Sequence, residues 1–149
     1  MTEAALPLRD LHSHLIPGVD DGADSAALAV EAVRAFLVEG VGTLVATPHL
    51  RGSLTQNREL LDSRLSAFDR AWKRLSAAVE GAGLSVDLRR GSEVMMDDPH
   101  PDFSDPRVRL DGGRFVLVEW PGLQVPPGTG PVLHRMVERS WVPVVAHPE

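Results

Sequence analysis

Asp10-Leu11-His12-Ser13-His14 sets two histidines one residue apart near the start of the chain. In an extended strand, residues two apart point to the same face, about 7 Å apart along the chain. Both imidazoles then project to one side, where a single metal ion can meet them. Taken alone, the pair is read more readily as a strand end with two surface histidines. The reading turns on what ends the other apolar runs.

Residues 8–12 read as a first short strand, and Ile16-Pro17-Gly18-Val19-Asp20-Asp21-Gly22 as a turn-rich loop after it. Asp24 or Ser25 can cap a helix running to Glu39, with Gly40 as its stop and Ala29, Val33, Phe36 and Leu37 on its apolar face. Thr43-Leu44-Val45-Ala46-Thr47 is an apolar run of strand length that ends at Pro48-His49. Leu61, Leu65, Phe68, Trp72, Leu75 and Val79 then alternate spacings of four and three. That pattern lasts under three heptads, so it predicts one long amphipathic helix packed on a domain rather than a coiled coil. Gly81-Ala82-Gly83 ends it.

A third strand is predicted over 84–91, reaching Ser92-Glu93, and a loop over 97–111. Arg114 to Glu119 reads as a fourth strand, and 132–140 as a short helix after a Pro/Gly-rich stretch. Val142 to Ala146 is a fifth strand, ending at His147-Pro148-Glu149. Strands that alternate with helices argue for right-handed βα units and a parallel sheet or barrel, with functional groups at the C-terminal strand ends.

Composition narrows the chemistry. The 149 residues are 43% hydrophobic, enough for one globular domain with a real core. A net charge of −6 makes no electrostatic case for nucleic acid or an anionic membrane. An anionic substrate stays open, because bound divalent ions invert the local field. With no cysteine, any metal ligands must be His, Asp or Glu, which suits Mn, Zn or Fe. The first residues lack a basic region followed by a long apolar run, and no stretch approaches the ~18 apolar residues of a membrane span. The expected location is the cytoplasm.

All five strand-like segments end in a metal-ligand residue type: His12 and His14, His49, Glu93, Glu119 and His147. At the same relative position on a parallel architecture, these predict a converging set able to hold two or more divalent ions. Such a cluster lowers the pKa of bound water and clamps a transferring phosphoryl group. His100, in an Asp-Pro-His-Pro loop, and His134, inside a helix, are expected to be structural or solvent-facing.

The run from Asp10 to Gly22 resembles the opening motif of bacterial manganese-dependent tyrosine-protein phosphatases of capsular and exopolysaccharide loci, in the polymerase-and-histidinol-phosphatase (PHP) superfamily. Ala46-Thr-Pro-His49, Gly91-Ser-Glu93, Val118-Glu-Trp-Pro121 and Val145-Ala-His-Pro-Glu149 are similar to its later motifs, in order. The resemblance implies a PHP-type distorted (β/α)7 barrel, here with about its first five strands, and a centre of two or three metal ions, Mn²⁺ by family and Zn²⁺ or Fe²⁺ as alternatives. Carried over by position, His12 and His14 ligate one ion and Glu93 bridges it to a second. Glu119 and His147 complete the second ion's ligands, and Asp21 and His49 serve a third. A metal-activated hydroxide then attacks phosphorus in line. Arg51 is a candidate phosphate contact, since a guanidinium matches that geometry; an exposed loop arginine is the alternative.

The family continues past this point, through an Arg after His-Pro-Glu and a late Asp-x-His motif. The expectation is therefore a single PHP-like domain over 1–149, incomplete at its C-terminus, with an uncovered sheet edge and uncertain activity of its own. The implied substrate is phosphotyrosine on a protein, a tyrosine kinase of polysaccharide biosynthesis. Two other readings stay open: a PHP phosphatase for a small substrate such as histidinol phosphate, and a non-catalytic metal-binding or interaction product. A homo-oligomer also stays open.

Overall fold

The computed structural model describes residues 7–148. Residues 1–6, and Glu149 from the fifth motif, lie outside the described residues. Among the described residues the elements alternate as read from sequence: β1 (Leu8–Ser13), α1 (Ala26–Val38), β2 (Val41–Ala46), β3 (His49–Arg51), α2 (Arg58–Gly81), β4 (Asp87–Arg90), β5 (Glu93–Met95), β6 (Phe115–Glu119), α3 (Thr129–Glu138) and β7 (Val142–Val145). The strands form two sheets, ordered β1-β2-β4 and β3-β5-β6-β7, and every pairing is parallel. The fold is mixed α/β.

Two of the expected strands are each cut in two. The second run breaks at Thr47-Pro48, where Pro48 has no amide proton to give to a ladder. The third breaks at Gly91-Ser92 because the 97–113 segment crosses there. A Cβ on Gly91 would lie 2.9 Å from the Arg109 carbonyl oxygen and 3.0 Å from the Leu110 Cα, so only glycine fits. Hydrogen bonds carry the pairing across both breaks: the Gly91 amide donates to Ala46 O (3.0 Å) and the Glu93 amide to Pro48 O (3.0 Å). His49 and Glu93 therefore open the second halves of their strands instead of ending the first halves, which corrects the expected placement at strand ends.

Ser25 is the residue that caps α1, its hydroxyl accepting from the Leu28 amide. Asn57 does the same for α2 through the Leu60 amide. The third helix begins at Thr129, earlier than predicted, because Pro131 falls in its first turn, where a missing N–H costs nothing.

The α2 stripe works in two halves. Leu61, Leu65 and Phe68 pack on Leu50, Val94, Val116 and Val118 of the four-stranded sheet. Ala71, Leu75 and Val79 pack with Ala29 and Val33 of α1 and Leu44 and Ala46 of β2. One helix thus spans both sheets and fixes their relative position. The 97–113 segment is tied down by charge: Arg107 pairs with Asp62 (3.0 Å) and Asp69 (3.3 Å) on α2 and with Asp105 (2.8 Å), while Arg90 also pairs with Asp69. No helix of the described residues is long and apolar enough to cross a membrane.

Candidate metal centre

Alternation along β1 decides where the first two histidines point. Ser13 is buried, its hydroxyl donating to Val45 O (3.1 Å) and its amide to Thr47 Oγ1 (3.2 Å). Its neighbours His12 and His14 must therefore leave the sheet on the opposite side. His49 opens β3, Glu93 opens β5 in register beside it, and Glu119 ends β6. His147 follows β7 with a left-handed φ of 40°, a conformation histidine tolerates better than most residues. Asp21 comes from the loop between β1 and α1.

The four histidines converge on Glu93, whose carboxylate is fully buried, and Glu119 and Asp21 join the cluster through His49. Glu93 Oε1 lies 3.1 Å from His12 Nε2 and 3.2 Å from His147 Nε2. Its Oε2 lies 3.2 Å from His14 Nε2 and 3.0 Å from His49 Nδ1. His49 Nδ1 is also 2.8 Å from Glu119 Oε1, and its Nε2 is 3.3 Å from Asp21 Oδ1. The donors fall into three overlapping groups: His12, Glu93 and His147; His49, Glu93 and Glu119; His14, Asp21 and His49. His12 Nε2 and His14 Nε2 also lie 3.3 Å apart, as in the carried-over pairing, while His147 lies beside His12, and His49 and Asp21 beside His14.

The donor set fits divalent cations on two counts. Both Glu93 oxygens, Glu119 Oε1 and His49 Nδ1 are buried, and their nearest polar neighbours are other members of the same cluster. Two buried carboxylates side by side are costly unless positive charge, protons or metal ions, lies between them. Two donors each ~2.1 Å from one ion and at right angles stand ~3.0 Å apart, and the closest contacts here span 2.8–3.3 Å.

The electrostatics follow from the crowding. Burial alone would raise the Glu93 carboxyl, but hydrogen bonds to His12 and His14 prevail and hold it at about 2. Burial and the charge of Glu93 push the neighbouring Glu119 upward. Asp20 and then Glu93 raise the His14 imidazole to about 10, burial opposing them. A divalent ion held at His14 Nε2 would displace the proton that faces Glu93, so binding there would release a proton.

Arg51 ends β3, exposed, two residues from His49 and on the same face of the strand, with Leu50 buried on the other. It makes no salt bridge among the described residues. Among the described residues, His100 is exposed and forms no ion pair with the cluster, and His134 is exposed and pairs only with Glu138 at 3.4 Å. Sequence reasoning missed Asp20, which it treated as a turn residue. The Asp-Asp-Gly run announced a tight turn, but which carboxylate faces outward is decided by packing: Asp20 is 5% exposed and Asp21 80%.

An α/β chain of parallel strands that brings four histidines and two further carboxylates around one buried glutamate has a donor set of the kind that can hold metal ions. The chain belongs to the capsular polysaccharide synthesis CpsB/CapC family, whose family model matches residues 8–149. It is 26% identical over 142 residues to the tyrosine-protein phosphatase YwqE of Bacillus subtilis (strain 168), covering 94% of this chain and 54% of that protein. With the putative tyrosine-protein phosphatase CapC of Staphylococcus aureus it shares 27% identity over 143 residues, covering 94% and 53%. Among solved structures it is similar to that reported for YwqE from Bacillus subtilis and CpsB from Streptococcus pneumoniae, described as unique metal-dependent tyrosine phosphatases. That match has a TM-score of 0.71 at 26% identity and covers 95% of this chain and 56% of the other. The chain spans about half the length of the curated relatives it matches.

Proposed function

We propose that the protein containing this chain is a metal-dependent phosphatase that hydrolyses phosphotyrosine on a protein, a tyrosine kinase of polysaccharide biosynthesis being the substrate its family suggests. The observation that carries the reading is Glu93: a fully buried carboxylate, each of whose oxygens faces two imidazoles. The names of the relatives, and the description of the matching structure, supply the phosphotyrosine part.

In this reading His12, Glu93 and His147 hold one ion, His49, Glu93 and Glu119 a second, and His14, Asp21 and His49 a third, with Mn²⁺ the expected metal and Zn²⁺ or Fe²⁺ the alternatives. Bound divalent ions supply a water of lowered pKa and stabilise charge on the phosphoryl oxygens. The chain's own part is placement. Glu93 presents one carboxylate oxygen to His12 and His147 and the other to His14 and His49, so it could serve two ions together. Arg51, at the rim beside His49, would take a phosphate oxygen through its guanidinium. The two parallel sheets form part of a PHP-type distorted barrel, one domain over the whole chain, acting in the cytoplasm.

The test is Mn²⁺-dependent phosphate release from a phosphotyrosyl peptide, with histidinol phosphate in parallel. Turnover of the peptide alone supports the reading. Turnover of histidinol phosphate alone replaces the substrate class. Mn²⁺ uptake with turnover of neither, also in a longer chain of the same family, leaves a metal-binding or interaction module.

A further inference from the structure

Asp20 lies outside the donor groups, yet one of its oxygens touches two of their members. Asp20 Oδ2 accepts from His14 Nδ1 at 2.8 Å and from the His49 backbone amide at 3.0 Å. Its Oδ1 accepts from the Gly22 amide at 3.1 Å, closing the turn that carries Asp21. The side chain is 5% exposed, although it belongs to a surface loop.

These contacts have a chemical consequence. A histidine has two ring nitrogens, and a proton held on one leaves the other free to ligate. The carboxylate at Nδ1 keeps the proton of His14 there and leaves Nε2 as the donor, aimed at Glu93 Oε2 3.2 Å away. The bond to the His49 amide ties the same loop to the start of β3. His14, Asp21 and His49 come from three different segments, and Asp20 contacts two of them and directly precedes the third.

We infer that Asp20 is a positioning residue that preassembles the His14–Asp21–His49 group, fixing His14 as an Nε2 donor. The inference rests on the metal-centre reading above but not on any catalytic turnover. Substitution of a carboxylate behind a ligating histidine costs roughly 10–100-fold in metal affinity, and that range is expected for Asp20→Asn. The asparagine keeps size and can still accept from the Gly22 amide, but it no longer offers a carboxylate to both His14 and His49.

Two measurements test it. The first is calorimetric titration of the parent and Asp20→Asn with Mn²⁺ alone, with far-UV circular dichroism confirming that both are folded. The second is the ¹⁵N pattern of His14 in the parent loaded with diamagnetic Zn²⁺, which does not depend on any variant folding. Expected are weaker Mn²⁺ binding in the folded variant, and a His14 with Nδ1 protonated and Nε2 metal-bound. Equal affinity in the two proteins, or a His14 that ligates through Nδ1, overturns the inference alone. A parent that takes up no Mn²⁺ overturns both the inference and the reading beneath it. Metal binding as expected without phosphotyrosine turnover leaves the inference standing and removes only the phosphatase.

Discussion

The rings of His12 and His147 stand with their centroids 5.1 Å apart, and the Nε2 atoms of both lie against Glu93 Oε1. One ring comes from β1, at the edge of the first sheet, and the other follows β7, at the edge of the second. The two sheets therefore curve until their far edges meet over one carboxylate. Glu93→Gln should lower metal content and phosphate release together, because a neutral amide offers one oxygen acceptor where the carboxylate offers two. Metal analysis beside an activity assay checks this, and full activity in the variant would remove Glu93 from the shared position.

Gly22 passes close to His14. A Cβ at Gly22 would lie 2.2 Å from the His14 carbonyl oxygen and 2.3 Å from the His14 Cβ, and backbone cannot yield that much. Gly22→Ala should therefore push the loop away and displace Asp20 and Asp21. Mn²⁺ affinity is expected to fall while the helical circular dichroism signal stays. Unchanged affinity would show that the loop can relax without cost to the site.

Leu75 is fully buried where α1, α2 and β2 meet. Leu75→Ala should destabilise the fold by about 2–5 kcal/mol, the usual cost of a large-to-small core change. Urea unfolding of parent and variant measures it, and a loss under ~1 kcal/mol would mean that the core there collapses to fill the space.

Asp105 gives a pH dependence remote from the metal cluster. The Arg107 guanidinium beside it holds its carboxyl below the ordinary value of 3.8. A depressed folded value means that the ionised form is the one the fold stabilises, so the contribution is complete above the ordinary value. It is lost as pH falls through the folded one. Asp105→Asn keeps the turn acceptor for the Arg107 amide but loses the charge, and should cost up to ~1 kcal/mol at neutral pH, as partly exposed pairs do. The gap between parent and variant, followed by urea unfolding at decreasing pH, should close in acid. A gap that persists undiminished below the folded value would assign the loss to something other than charge.

His100 lies exposed on the Asp-Pro-His-Pro loop, in no ion pair with the cluster among the described residues. His100→Ala should leave turnover within a few-fold of the parent in the phosphotyrosyl peptide assay. A large loss would show that this loop closes over bound substrate.

Much of this was legible in one dimension because the signals are local. Apolar runs of strand length, the four-and-three spacing of α2 and a cap at Asp24 or Ser25 depend only on near neighbours in the chain, and they placed three helices and five strand runs to within a few residues, while the Asn57 cap and the splitting of two runs were not read from them. The side-chain alternation that turns His12 and His14 to one face is equally local. Tertiary structure decided the rest. Whether a strand stays whole depends on what crosses it, and the pressure of Arg109 and Leu110 on Gly91 comes from a segment far along the chain. Which histidines from different strands lie together depends on sheet curvature, which sets His147 beside His12 and His49 beside His14. The two adjacent aspartates make the same point most simply. Asp20 and Asp21 are the same residue type in the same turn, and only the approach of His14 and the His49 amide makes one a buried brace and leaves the other exposed at the rim.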